Sequence, residues 1–291
     1  MDNNGVKLIA LDMDGTLLLS DHKTIHPENI RAIRTAQEAG LAVFISTGRL
    51  PEDVTDFLRR DVLEMGMICC NGAVAYAGPL PDGRQMVKST FKPETAHRVL
   101  DVLIPYGIMI NAFEPGWVST VARSPDHHYN LLSRNLIGEH RGAGALRASA
   151  DRGILKFYCM EEPGWAHLPS EIIEAVRKEL IRTCPDAQVT RSAPGIVEVM
   201  PLGVGKGQTL LAVAAQMGIG PESIMAVGDE ENNLDMLERV SKSVAMGNAS
   251  QRVLETCRYL TLSNDDAGVA EAINMALGMP SRCRQHKARV D

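Results

Sequence analysis

Aromatic residues are scarce in this chain, only 4% of 291, so its interior must be filled by Leu, Ile, Val, Ala and Met. The six cysteines (Cys69, Cys70, Cys159, Cys184, Cys257, Cys283) include no C-x-x-C pair and mostly lie in apolar runs. That argues against a zinc site and fits buried free thiols in a reducing cytoplasm. Positive charge is also in deficit. The formal net charge of −6 opposes a broad basic surface for nucleic acid. No window reaches the roughly 18 uncharged apolar residues of a membrane span. The nearest, 207–220, contains Gln208, Thr209 and Gln216 and reads as a helix of a soluble core. Met1-Asp2-Asn3-Asn4-Gly5 lacks the basic start and apolar run of a secretory signal. There is no internal repeat or low-complexity stretch. The expectation is a cytoplasmic protein with neither nucleic acid nor membrane as partner.

What is present is an alternating rhythm. Val6 to Leu11 is an apolar run ending in a carboxylate cluster, and Pro27 to Ala39 carries Ile30, Ile33 and Ala36 at helical spacing. Pro27 suits a first turn and Gly40 a stop. Leu41 to Ile45 is a second buried strand, a helix follows through about Leu63, and Met67 to Cys70 is a third strand. Apolar strands alternating with helices imply a parallel sheet covered on both faces. The rhythm changes near Gly78. From Val87 to Arg191 strand-like runs (108–113, 117–122, 155–160) and helical segments (94–103, 170–182) suggest a separate α/β module, with Arg141 to Ala145 as a flexible loop. The sheet rhythm then returns with a strand at 196–200, a helix at 206–217, a strand at 223–227 and a helix at 234–240. From Pro280 the basic tail, without periodicity, reads as a frayed terminus.

In a parallel α/β sheet, ligands sit outside the carboxyl ends of the strands. Asp12 with Asp14, Thr47 with Gly48, and Asp229 all occupy such ends. Asp12-Met13-Asp14-Gly15-Thr16 places two carboxylates one residue apart, so an extended segment aims both to one side. Gly15 permits a sharp turn with amides pointing at the same spot. Paired carboxylates repel unless a hard divalent cation separates them. A calcium loop is excluded, because Leu17 stands where its turn glycine belongs; a surface turn stays open. Lys206 lies in Gly203-Val204-Gly205-Lys206-Gly207, which is not a nucleotide P-loop. Met200 replaces that motif's first glycine, and Gly207 its Ser or Thr. A dinucleotide fingerprint fails at Gln208. A lysine opposes the dipole at a helix start, so Lys206 is either merely solvated or holds an anion. Asp229, Glu230 and Glu231 either favour a helix N-terminus or, with Asp12 and Asp14, complete an oxygen-rich metal site.

With these residues in view, the chain resembles the haloacid-dehalogenase-like (HAD) phosphatases, specifically the Cof-type hydrolases with a large α/β cap. The matching segments are DMDGTLL from Asp12, STGR from Ser46, CNGA from Cys70, PLGVGKG around Lys206 and GDEENN from Gly228. Met246-Gly247-Asn248-Ala249 and Asp266-Ala267-Gly268-Val269 resemble later family segments. The resemblance implies an α/β fold with a doubly wound, Rossmann-like parallel-sheet core (1–87 and 192–279), an inserted cap (88–191) and a flexible tail (280–291). It implies hydrolysis of small phosphorylated metabolites, such as sugar phosphates, through an aspartyl-phosphate. Asp12 is then the nucleophile, and Asp14 the acid and later the base. Mg2+ is held by the Asp12 carboxylate, the Asp14 carbonyl and Asp229. Thr47, Gly48, Lys206, Asn232 and the Met13 amide hold phosphoryl oxygens, with Thr47 and Lys206 counted as catalytic. Asn71 either braces that loop or only makes a turn before Gly72. Asn233 departs from the family pattern, which has Asp there. An amide can accept a bond from a metal-bound water but adds no charge, so weaker magnesium binding is expected unless Glu230, Glu231 or Asp235 compensates. His127, His128 and Trp117 read as packing or surface residues. The alternatives are a sugar-phosphate phosphomutase and a catalytically silent relative that binds a phosphorylated ligand.

Overall fold

The computed structural model describes residues 4–121, 138–161, 170–193 and 195–286. The chain opens with β1 (Leu8–Leu11), α1 (Pro27–Glu38), β2 (Ala42–Ser46), α2 (Pro51–Arg60), β3 (Gly66–Cys69), β4 (Val74–Tyr76) and β5 (Gln85–Lys88). A second series follows: α3 (Pro93–Leu103), β6 (Met109–Glu114), β7 (Trp117–Val121), β8 (Gly138–Arg141), α4 (Ala143–Arg152), β9 (Lys156–Met160), α5 (Glu171–Thr183), β10 (Ala187–Ala193) and β11 (Ile196–Pro201). The third comprises α6 (Lys206–Gln216), β12 (Ile224–Gly228), α7 (Leu234–Leu237), β13 (Lys242–Ala245), α8 (Gln251–Thr256), β14 (Tyr259–Leu260), α9 (Gly268–Ala276) and β15 (Arg284–Gln285). No described helix is long and apolar enough to cross a membrane.

Two compact units result, one from the residues up to Val87 and from Gly205 onward, the other from Lys88–Val204. The first holds a sheet of order β15-β14-β13-β12-β1-β2-β3-β4-β5. Its six central strands are parallel, and β4 and β15 pair antiparallel at the flanks. Leu8, Ala10, Phe44, Ile68, Ile224 and Ala226 pack with Leu210, Val213 and Ala214 of α6 and Leu234 and Leu237 of α7. The alternate residues Ile9, Leu11, Ile45, Met225 and Val227 are equally buried. By strand alternation they face the other side, where α1 and α9 pack together and touch β2 and β12. Burial on both faces is why these strands are apolar throughout. In α1 the buried residues Asn29, Ala32, Ile33 and Ala36 form one helical stripe, with Pro27 in the first turn and the His26 ring accepting from the Glu28 amide at 3.1 Å.

From β1 the chain steps outward through β2 and β3 on one side and resumes at β12 on the other. The strand order therefore reverses at β1, which opens a crevice beyond its carboxyl end. Asp12 stands at that point.

The second unit has a sheet of order β10-β11-β9-β6-β7-β8, antiparallel except for β7 with β8. Helices α3, α4 and α5 bury Val99, Leu100, Leu146, Ile173 and Val176 against Ile110, Phe157 and Val197 of this sheet. Trp117 stacks on His140, ring centroids 4.7 Å apart; His127 and His128 lie outside the described residues.

Three expectations are corrected. The strand at 196–200 belongs to the second sheet, where β11 pairs with β9 and β10, so this unit runs to Val204 instead of ending at 191. An apolar run specifies a buried strand but not the strand beside it. Arg141 to Ala145 is not a loop: Arg141 ends β8, Gly142 turns at φ 100°, and Ala143 begins α4. The stretch from 280 is placed as far as His286, where Arg284–Gln285 pairs with β14 and Arg282 bonds Glu271. A two-residue edge strand needs no periodicity to form. Residues 287–291 lie outside the description.

Candidate active site

Asp12 leaves β1 in extended conformation (φ −65°, ψ 164°), and its amide donates to the Val227 carbonyl at 3.0 Å. Its carboxylate, 5% exposed, accepts from Lys206 Nζ at 2.6 Å and from the Met13 amide. Burial pushes the carboxyl above the usual range, opposed by Lys206. Lys206 is itself only 3% exposed. The solvated reading of this lysine is thereby excluded: it starts α6 and turns inward onto a carboxylate. The glycines around it have a packing reason. A Cβ at Gly207 would lie 2.0 Å from the Asp235 carbonyl oxygen, and the Gly207 amide donates to Asp235 Oδ2 at 2.8 Å. Asp235 also binds Arg239 at 2.6 Å, and Glu231 binds Arg252 at 3.1 Å. Two of the acids that stood to compensate for Asn233 are thus engaged elsewhere.

Asp229 follows β12 and is 6% exposed. Thr16 donates to its Oδ1 at 2.8 Å, and the Asn233 Oδ1 accepts from its main-chain amide at 3.2 Å. Gly15, at φ 75°, is required twice over. Its backbone is left-handed, and a Cβ there would meet Asp229 Oδ2 at 2.1 Å. Burial, then the charge of Asp12, pushes the Asp229 carboxyl up to about 8; Thr16 and Lys206 oppose the rise. Two buried carboxylates share one lysine, a deficit of positive charge that a divalent cation would fill. Among the described residues there is no cluster of three metal-ligating side chains. The fit therefore rests on two carboxylates and a main-chain oxygen.

Asp14 does not aim its carboxylate at that pair. Arg49 grips it with both arms of the guanidinium, Nε at 2.8 Å from Oδ2 and Nη2 on Oδ1, and the His22 ring lies 3.5 Å away. Burial alone would raise this carboxyl, but Arg49 and His22 hold it below the usual range. Any Asp14 ligand to a metal would accordingly be its carbonyl. Thr47 donates its amide to Ile68, and its hydroxyl oxygen accepts from the Arg49 amide at 3.1 Å, which leaves the hydroxyl proton as a donor. The Asn71 amide donates to the Thr47 carbonyl at 3.0 Å, and a Cβ on Gly48 would lie 2.9 Å from Asn71 Oδ1. Asn71 therefore makes the turn, at φ 54°, and braces the 47–49 loop at once. Thr209 of α6 donates to the Gly72 carbonyl at 2.7 Å, tying Lys206's helix to the same turn. Asn232 is exposed, and its Oδ1 accepts from Asn233 Nδ2 at 2.6 Å.

Three supporting residues had no role assigned from sequence: Thr16, Arg49 and Asn248, whose Nδ2 donates to the Gly15 carbonyl at 2.8 Å. The signal was present, since all three lie inside the segments that carry the resemblance.

One prediction follows from Asp229. An acid raised from 3.8 to about 8 by folding contributes stability that is fully present below the lower value and lost as pH rises through the upper one. In EDTA, Asp229→Asn should therefore gain on the wild type by a few kcal/mol between about pH 4 and pH 8. Magnesium should cancel the gain. Thermal unfolding across that range checks it, and a pH-independent difference would refute it.

A family model described as haloacid dehalogenase-like hydrolase matches residues 9–273. A 5-amino-6-(5-phospho-D-ribitylamino)uracil phosphatase of Bacillus subtilis (strain 168) is 31% identical over 269 residues, 92% of this chain and 94% of the relative. The phosphatase YwpJ of the same organism is 31% identical over 297 residues, covering 94% and 100%. The crystal structure of a haloacid dehalogenase-like hydrolase from Bacteroides thetaiotaomicron superposes with a TM-score of 0.77 at 25% identity, covering 93% of this chain and 99% of that one.

Proposed function

The chain belongs to the haloacid dehalogenase-like hydrolases and is a Cof-type phosphatase, and we propose that it hydrolyses small phosphate monoesters, sugar phosphates or similar metabolites, through a phosphorylated Asp12. The observation that carries this reading is the buried Asp12 carboxylate at the strand-order reversal, with Lys206 Nζ 2.6 Å from Oδ1. In the first step a carboxylate oxygen of Asp12 bonds to phosphorus while the bond to the leaving oxygen breaks. Asp14 gives that oxygen a proton. In the second, Asp14 takes a proton from water, the water oxygen bonds to phosphorus, and the bond to Asp12 breaks to release orthophosphate. Arg49 and His22 favour the ionised carboxylate of Asp14, the charge state needed for the second step, for which it must also turn from Arg49 toward Asp12. Donation in the first requires Asp14 to leave Arg49 and acquire a proton.

Lys206, Thr47, Asn232 and the amides of Met13 and Gly48 serve as donors for the phosphoryl oxygens, since phosphoryl transfer is catalysed chiefly by positioning and charge. Magnesium fits the oxygen donors of Asp12, Asp229 and the Asp14 carbonyl, and its charge would offset that of the ester's phosphoryl group. The name of the first relative refers to a ribityl phosphate ester, which supports sugar and sugar-alcohol phosphates as the first substrates to try.

The test is phosphate release from a broad panel of phosphorylated metabolites, with and without magnesium. Magnesium-dependent release from a subset of sugar-type esters is expected. Accumulation of an isomerised sugar phosphate would replace the reading with a mutase; binding without release from any ester would replace it with a phospholigand-binding protein.

A further inference from the structure

On the sheet of the second unit, one row of side chains is polar where its neighbours are apolar. Ile110, Ala112, Phe157, Cys159 and Val197 face α3, α4 and α5. By strand alternation the residues between them point to the other face. There the register sets Thr120 of β7, Asn111 of β6, Tyr158 of β9, Glu198 of β11 and Thr190 of β10 side by side. Lys156, next along this face of β9, donates to Glu198 Oε1 at 2.5 Å and lies over the rings of Phe113 and Tyr158. Met109, Met160 and Ile196 pack beside the row, against Tyr158.

Asn111 is the member of this row that folding does not explain. It is 1% exposed, and among the described residues neither its Oδ1 nor its Nδ2 has a hydrogen-bond partner. A buried amide in that state has lost its hydration and gained nothing in return, so an apolar side chain would serve the fold better. The chemistry of the row says what would satisfy it. Asn111 offers an acceptor and a donor, and the charge of Lys156 is already matched by Glu198. An anion would find the Glu198 carboxylate and the Asn111 oxygen against it. A hydroxyl both donates and accepts, so adjacent hydroxyls of one molecule can meet both ends of the amide at once.

We propose that this face binds the neutral, hydroxyl-rich alcohol part of a phosphate ester, with Asn111 as the specificity-determining residue. The inference rests on the phosphatase reading above and narrows its substrate class to sugar and sugar-alcohol monoesters over esters that carry a second anionic group. The donors assigned so far address only the phosphoryl group and cannot tell one alcohol from another. In chain order, β11 with Glu198 runs directly into the segment that ends at Lys206.

The experiment compares sorbitol 6-phosphate, 6-phosphogluconate and hexyl phosphate, esters of one chain length, at a fixed excess of magnesium. The wild type should show its lowest KM for the sorbitol ester. Asn111→Leu should raise that KM about tenfold, the worth of two neutral hydrogen bonds, with kcat changing less. Hexyl phosphate, which has no hydroxyl to lose, should keep its KM and so reads any general damage to the site. Asn111→Ser, which keeps one group able to donate and accept, should raise the sorbitol KM two- to threefold, and it carries the test if N111L does not fold. The proposal is overturned if the folded variant leaves the sorbitol KM unchanged, if it raises the hexyl KM equally, or if the wild type prefers 6-phosphogluconate or hexyl phosphate. Failure of the phosphatase reading would look different: the wild type would release no phosphate from any of these esters.

Discussion

Replacing Asp12 by Asn is expected to lower kcat for aryl phosphate hydrolysis by on the order of 10⁴-fold or more while the protein stays folded. The amide has the shape of the carboxylate but no anionic oxygen with which to bond to phosphorus. It can still accept from Lys206 Nζ and from the Met13 amide, the two donors that hold Asp12 in place. The fold should tolerate the change, because burial already disfavours the charged form of this residue. Lys206 would keep the charge of Asp229 as a neighbour. Steady-state kinetics with a thermal unfolding scan on the same sample checks both halves. Undiminished turnover in the folded variant would remove Asp12 as nucleophile.

Lys206→Met should cost the metal-free protein roughly 3–5 kcal/mol at pH 8, because removing one partner of a buried ion pair leaves the other uncompensated. Here two carboxylates lose the same cation, since Lys206 lowers the pKa of both Asp12 and Asp229. The pH dependence identifies the cause. Both acids lie above their ordinary values when folded, so protonation at low pH relieves the repulsion, and the deficit should shrink as pH falls from 8 to 5. Turnover should fall about 10²- to 10³-fold, the usual worth of a donor aimed at developing negative charge. Urea unfolding at the two pH values, in EDTA, is the measurement. An equal deficit at both would mean that the lysine matters only for the packing of α6.

Much of this site was legible in the sequence because the α/β fold is assembled from local signals. Apolar runs of strand length mark β1, β2, β3 and β12, and the polar residues after them must lie at strand ends. The inserted unit was legible as a change of rhythm. Its far limit was not, since Ile196–Pro201 is apolar enough for either sheet and only its pairing with β9 and β10 decides. Asp235 shows the same limit at finer scale. As one more acid near Asp229 it read as available charge, yet it is committed to the Gly207 amide and Arg239.

By itself the sequence determined which residues follow the strands, Asp12, Thr47, Asn71 and Asp229, which one starts a helix, Lys206, and in what order they come. Tertiary structure alone decided what each side chain does there. Lys206 binds Asp12 across 194 positions of chain and Thr16 binds Asp229 across 213, whereas Asp14 turns to Arg49 instead. The physical reason is that strand and turn signals are short-ranged, while burial of a charge depends on which distant group arrives to pair with it.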